Sequence, residues 1–193
     1  MKGKKMSVQD QLKTMTNEIT TCLSGSLDDD ISWDKLAQIC TIMSNCANKI
    51  SLVKDSTVLY GRYLVFENDL FNVQLDVFSK NYIGAPHNHE TWGVMCGISG
   101  ELGICDYTMM DGKLNQIRAG ILRSGSALGF MKESDWHSTE TFGGDQVASF
   151  HVYGREFNLE DGYRFSDSVG IEKYRRGTLN YYSDNTHILK LEN

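Results

Sequence analysis

The sequence predicts a mainly β protein, a barrel or sandwich of short strands that follows two helices. In the first 50 residues, apolar side chains recur at helical spacing. From about Val58 onward, the pattern changes to short runs with a period of two. Glycine and Asn/Asp clusters separate these runs, and such turn signals between short strands are typical of all-β barrels and sandwiches. Strands and helices do not alternate along the sequence, which argues against a Rossmann-type fold.

The first predicted helix covers residues 7–23. Ser7 and Asp10 have the spacing of a capping box, in which each side chain accepts a hydrogen bond from the backbone of the other residue. Ser32 or Asp34 can cap the second helix. The apolar face of the first helix consists of Leu12, Met15, Ile19 and Leu23. The predicted apolar face of the second helix consists of Leu36, Ile39, Met43, Ala47 and Ile50.

Period-two runs predict the strands. The runs are Tyr60–Phe66, Phe71–Phe78, Trp92–Ile98, Leu102–Tyr107, Leu114–Leu122 and Val147–Tyr153. The polar, tyrosine-rich stretch from Glu172 to Asn193 has no clear period and is left unassigned. We therefore expect one domain over residues 1–193, with a helical segment at 1–55, a barrel core at 56–157 and a C-terminal extension at 158–193.

Composition and charge narrow the classes of function. The net charge of -6 argues against nucleic acid or an anionic membrane surface as the partner, because both attract a basic face. No apolar run approaches the ~20 residues of a membrane-spanning helix, and no apolar segment follows the basic start, so we predict no secretory signal. The five cysteines form no CxxC pair, which favours reduced thiols and a cytoplasmic location.

Histidines provide the main chemical signal. His87 and His89 lie two residues apart, so on a strand both imidazoles point to the same face and can reach one metal ion. Pro86 favours an extended backbone at this point. Imidazole binds Fe, Zn, Cu and Ni, so the pair leaves the metal open. His137 can complete a set of three ligands that leaves positions for a substrate and O2; the alternative is a solvated loop histidine.

A second pattern places three polar side chains on one face of a strand. Ser149, His151 and Tyr153 alternate along the run Val147–Tyr153. Their hydroxyl, imidazole and phenol groups can therefore form a hydrogen-bonded chain. The alternative is an ordinary half-buried strand.

Together these motifs resemble the cupins, and among them the cysteine dioxygenase and 3-mercaptopropionate dioxygenase family. His87 and His89, followed by Gly93 and Gly100, with His137 about fifty residues further on, resemble the two-part cupin signature. The signature usually has a glutamate ligand where Gly93 stands here, and its loss is a mark of the thiol dioxygenases. The run of Ser149, His151 and Tyr153 also resembles that family.

The resemblance covers roughly residues 58–153 and implies the cupin double-stranded β-helix, a jelly-roll barrel. It implies Fe(II) held by three histidines, a small thiol and O2 as partners, and a sulfinic acid as the product. In the family, the chain of three side chains ends with the tyrosine hydroxyl beside the iron. The resemblance therefore assigns His87, His89 and His137 to the metal and Ser149, His151 and Tyr153 to catalysis.

Substrate binding is the part of the resemblance that leaves a choice. Tyr60 and Arg62 resemble the family's Tyr-x-Arg, in which the arginine binds the substrate carboxylate. Arginine suits this role because its planar fork binds a carboxylate through two parallel hydrogen bonds. In some bacterial relatives the arginine follows the Ser-His-Tyr run, so Arg155 and Arg164 are further candidates. The identity of the thiol also stays open between cysteine, 3-mercaptopropionate and a larger molecule.

The sequence departs from the family at two places. Mammalian cysteine dioxygenases carry a cysteine just after the metal motif that is cross-linked to the active-site tyrosine, whereas Gly93 and Val94 stand here. We predict no such cross-link to Tyr153, as in bacterial members, although the strand parity of Cys96 would allow it to face the barrel. The second cupin motif is degenerate, with Thr141 in place of the usual asparagine.

Two other functions therefore remain as alternatives. The chain could be another cupin enzyme with a different substrate, or a non-enzymatic cupin that binds a metal or ligand as a sensor. Trp92 is a candidate for the wall of the substrate pocket, with a place in the barrel core as the alternative.

Overall fold

The computed structural model describes residues 6–25, 31–53, 60–134, 136–143, 146–155, 157, 161–176, 179–182 and 187–192. Two helices precede two six-stranded sheets and a small two-stranded sheet. The two large sheets form a jelly-roll barrel, so the predicted mainly β fold with N-terminal helices is confirmed. No helix within these ranges is long and apolar enough to cross a membrane.

The helices begin at the predicted caps. Helix α1 is Val8–Leu23, and its capping box is formed as expected: the Ser7 hydroxyl accepts from the Asp10 backbone, and the Asp10 carboxylate accepts from the Ser7 backbone N–H at 2.9 Å. Helix α2 is Trp33–Ala47, and Ser32 rather than Asp34 caps it. All residues of the two predicted apolar faces are buried, but one of them, Ile50, is not part of the helix.

The exception has a simple cause. Helix α2 ends at Ala47, and Ile50 begins strand β1 instead, opposite Leu191 near the end of the chain. The assignment of Ile50 to the helix was therefore wrong. Its helical spacing was accidental, and pairing with a strand about 140 residues away decides its conformation.

All six predicted strands are present as β2, β3, β5, β6, β7 and β10, and their ends differ from prediction by at most three residues. The described strands are β1 Ile50–Leu52, β2 Gly61–Glu67, β3 Phe71–Phe78, β4 His87–Asn88, β5 Gly93–Ser99, β6 Glu101–Met110, β7 Lys113–Leu122, β8 Ala127–Phe130, β9 His137–Phe142, β10 Val147–Gly154, β11 Asp161–Ser166, β12 Gly170–Arg175, β13 Leu179–Tyr181 and β14 Leu189–Leu191.

Each large sheet combines distant parts of the chain. The first sheet has the order β13-β2-β3-β10-β5-β8, and the second has the order β12-β11-β4-β9-β6-β7. The unassigned C-terminal stretch thus supplies β12 and β13, one to each sheet, while β14 pairs with β1. The division into a helical segment, a core and an extension stays a prediction, but strands after residue 158 are part of both sheets.

Two apolar clusters divide the buried side chains. The larger cluster joins the helices to the outer face of the first sheet and includes Ile39 and Met43 of α2 together with Phe150 and Val152 of β10. The smaller cluster lies on the inner side of the barrel and includes Met95 and Phe130. The first sheet therefore has an apolar outer face under the helices and an inner face that lines the barrel.

Candidate metal centre and its cavity

Three histidines meet on the second sheet. His87 and His137 are direct partners in the pairing of β4 with β9, and His89 follows β4 two residues after His87. Their ring centroids lie 4.7–5.0 Å apart, and one candidate ligand atom from each lies within 4.8 Å of the other two. The group could hold a metal ion. Within the described ranges, this candidate site contains only imidazoles and no carboxylate.

The surroundings keep two of these imidazoles neutral. His87 Nδ1 lies 2.9 Å from the Ala85 carbonyl oxygen, which can only accept, so Nδ1 carries the proton and the Nε2 lone pair is available for a metal. Burial lowers the pKa of His87 to about 4. The pKa of His89 lies well below its usual value, mainly because the ring is buried and secondly because His137 and His87 are close to it. At neutral pH both rings are in the form that binds metals.

Aromatic rings close one side of the centre. Tyr153 lies over His89 with 4.5 Å between ring centroids and stacks on Phe157 at 4.1 Å. The ring centroid of Phe130 lies 5.2 Å from that of His137. A Cβ built at Gly93 would fall 2.3 Å from the Phe130 ring. The ring therefore occupies the space beside the position where the cupin signature has its glutamate, and a side chain there would displace Phe130.

The predicted chain of three polar side chains is formed. Ser149 Oγ lies 2.8 Å from His151 Nε2, and His151 Nδ1 lies 2.9 Å from the Tyr153 hydroxyl. Ser149 and His151 are buried on the inner face of β10. Burial lowers the pKa of His151, while the Asp76 carboxylate raises it. The last member of this hydrogen-bonded series, Tyr153, lies beside His89, because the two rings are in contact.

A cavity of about 650 Å³ opens next to the histidines and is lined by both sheets. Tyr60, Arg62 and Arg164 line this cavity, whereas Arg155 is exposed and is not among its lining residues. Arg164 donates to the Glu172 carboxylate at 2.9 Å, which partly neutralises it. Of the three arginines considered from the sequence, two therefore face the cavity.

Arg176 is a cavity residue that sequence reasoning missed. Its guanidinium lies 4.5 Å from the Phe157 ring centroid and donates to the backbone oxygens of Asp161 at 2.8 Å and Asn88 at 3.3 Å. Asn88 lies between His87 and His89 in the sequence, so this hydrogen bond connects Arg176 to the backbone of the candidate metal centre. The stretch around it gave no periodic signal, and only its folding against β4 reveals this role.

Asp76 is the second missed residue. Its side chain lines the cavity from β3. Burial raises the pKa of this carboxyl group, whereas the nearby His151 and Arg62 lower it. The signal for it was present, because Asn72, Gln74 and Asp76 alternate along a predicted strand and so share one face.

Two side chains that the sequence analysis considered for the barrel interior, Cys96 and Trp92, lie away from the cavity. Cys96 is fully buried in the cluster under the helices, close to Ser44 of α2, and burial raises its pKa to about 12. The expectation that Cys96 could face the barrel was therefore wrong, because it pairs with Phe150 on the outer face of the sheet. Trp92 belongs to the same cluster and does not line the cavity, which favours the core alternative.

The chain matches no known protein-family model and no curated protein sequence. It is similar in structure to hydroquinone 1,2-dioxygenase from Sphingomonas sp. TTNP3, with 8% identity and a TM-score of 0.43, over 51% of this chain and 68% of that one. An oxalate oxidase matches with 13% identity and a TM-score of 0.40, over 54% of this chain and 56% of that one. A cupin superfamily protein from Desulfitobacterium hafniense DCB-2 matches with 11% identity and a TM-score of 0.39, over 58% and 86%. Similarity at this level assigns no activity or ligand.

Proposed function

We propose that the chain is an iron-dependent thiol dioxygenase that acts on a small thiol with a carboxylate, such as cysteine or 3-mercaptopropionate, and gives a sulfinic acid. One observation carries the proposal: a group of three imidazoles, without a carboxylate among the described candidate ligands, lies beside the hydrogen-bonded chain of Ser149, His151 and Tyr153.

The ligand set fits ferrous iron and a thiol. Imidazole is a neutral ligand, so three of them leave the charge of Fe(II) uncompensated, which favours a thiolate over a thiol. When bound, the iron would supply neighbouring positions for the sulfur and for O2. In the overall reaction, RSH + O2 → RSO2H, sulfur loses the electrons that O2 gains, so no separate reductant is required.

The residues of the chain bind and orient the reactants. Arg62 provides the fork for the substrate carboxylate, with Tyr60 at the cavity wall, and Arg176 is the second candidate for this role. Tyr153 lines the cavity beside His89, where it would contact the reacting molecules. Phe130 and Phe157 cover the imidazoles and limit the access of water.

The five cysteines are all free thiols, which supports our proposal that the protein works in the reducing cytoplasm.

Oxygen uptake tests the proposed function directly. Protein loaded anaerobically with Fe(II) should consume one O2 for each sulfinate formed from cysteine or 3-mercaptopropionate, measured with an oxygen electrode and mass spectrometry. His87→Ala should lose more than about 100-fold in iron affinity, because it removes a ligand. His187→Ala is the matched control, since His187 is exposed and does not line the cavity.

Two results would contradict the proposal. Stoichiometric iron in His87→Ala would remove the assigned ligand set. Iron-loaded protein that binds thiols but takes up no O2 would instead favour the non-enzymatic, ligand-binding alternative.

A further inference from the structure

Asp76 stands at a central place on the inner face of the first sheet. It lies on β3 between two other strands, directly opposite Arg62 of β2 and directly opposite Ser149 of β10. Its side chain is 15% exposed and lines the cavity. The carboxylate thus lies between the proposed substrate anchor and the hydrogen-bonded chain.

Asp76 shares one nitrogen of His151 with Ser149. Asp76 Oδ2 lies 3.8 Å from His151 Nε2, and Ser149 Oγ lies 2.8 Å from the same atom. The other carboxylate oxygen, Oδ1, is buried and has no hydrogen-bond partner among the described residues. Burial raises the pKa of the Asp76 carboxyl group, and the nearby His151 and Arg62 act in the opposite direction, because their positive charge favours the carboxylate form.

The position of the proton on His151 follows from these contacts. A neutral imidazole carries one N–H, on either Nδ1 or Nε2. A proton on Nε2 is accepted by the Ser149 hydroxyl, and the Asp76 carboxylate 3.8 Å away stabilises it electrostatically. A proton on Nδ1 would instead leave the Nε2 lone pair facing a carboxylate, which is electrostatically unfavourable.

We propose that Asp76 is a positioning residue that holds the His151 proton on Nε2, so that the Tyr153 hydroxyl donates to His151 Nδ1. The Tyr153 oxygen, which lines the cavity, then keeps lone pairs that can accept a hydrogen bond from a ligand with a donor, such as the ammonium group of cysteine. Only the consequence for turnover rests on the proposed function, because the arrangement of protons is a property of the protein itself.

Imidazole nitrogen NMR tests the proton position. In ¹⁵N-labelled protein loaded with diamagnetic zinc, a protonated ring nitrogen resonates well apart from an unprotonated one. We expect wild-type His151 to be protonated on Nε2 alone. A proton on Nδ1, or on both nitrogens, would overturn the inference, and this measurement requires no variant.

A pair of variants isolates the role of the carboxylate. Asp76→Asn keeps the shape but presents an amide that can donate to Nε2, so we expect the His151 proton to move to Nδ1. Glu101→Gln also removes a carboxylate, but from a surface ion pair with Arg123, and should leave the tautomer unchanged. An unchanged tautomer in folded Asp76→Asn would count against the inference.

Turnover separates this inference from the proposed function. We expect Asp76→Asn to lower kcat by about tenfold at nearly constant KM, since the substrate anchors remain. Equal kcat in the variant and the wild type would exclude an effect on turnover. If the wild type oxidises no thiol at all, the proposed function fails, while the NMR result still decides whether Asp76 sets the tautomer.

Discussion

The two faces of strand β10 are equally buried but chemically opposite. The inner face carries Ser149, His151 and Tyr153, which form a hydrogen-bonded chain next to the cavity. The outer face carries Phe150 and Val152, both fully buried under the helices. The comparison shows that burial alone does not identify a functional residue. What separates the two sets is that the inner residues satisfy one another through polar contacts, whereas the outer residues pack against hydrocarbon.

The same division continues across the sheet. Arg62 and Asp76 lie opposite each other on the inner face, while Tyr63 and Leu75 lie opposite each other in the core beneath the helices. Substitutions one residue apart should therefore separate stability from activity. Three variants test this, in order of decreasing effect.

Phe150→Ala should have the largest effect, and on stability. The loss of a fully buried ring should lower the free energy of unfolding by about 3–5 kcal/mol. Chemical denaturation measures this value, and metal analysis of the protein that remains folded should still find one ion per chain. A loss below about 1 kcal/mol would show that the outer face does not form a tightly packed core.

Arg62→Gln should act on substrate binding. Removal of a charged hydrogen-bond donor should raise the KM for 3-mercaptopropionate by about 10–100-fold, because such a bond contributes about 1.5–3 kcal/mol. Arg155→Gln is the control, since Arg155 is exposed and outside the cavity lining. If Arg176→Gln raises KM and Arg62→Gln does not, the anchor is Arg176.

Tyr153→Phe should have the smallest effect, and on turnover. The variant keeps the ring that stacks on Phe157 but removes the hydroxyl, so iron binding should persist while kcat falls by about tenfold. The free energy of unfolding should fall by only about 1–2 kcal/mol, from the lost bond to His151. Steady-state kinetics and denaturation on the same preparation measure both. Unchanged kcat would remove Tyr153 from catalysis.

Much of the fold could be predicted because its signals are local. A capping box, helical spacing and period-two alternation each depend on neighbouring residues, and they located both helices and six strands. The shortest strands, such as β4 and β13, were not predicted, because two or three residues are too few to show a period. Ile50 was misassigned because a distant strand, and not its neighbours, decides its conformation.

The sequence alone determined which side chains share a strand face, and therefore the pairing of His87 with His89 and the chain from Ser149 to Tyr153, because alternation along a strand is a property of the backbone. Only the tertiary structure decided which faces meet. It brought His137 opposite His87, turned Cys96 toward the helices and added Arg176 and Asp76 to the cavity. Those outcomes depend on the register between strands far apart in the chain, and register is settled by the packing of the whole barrel.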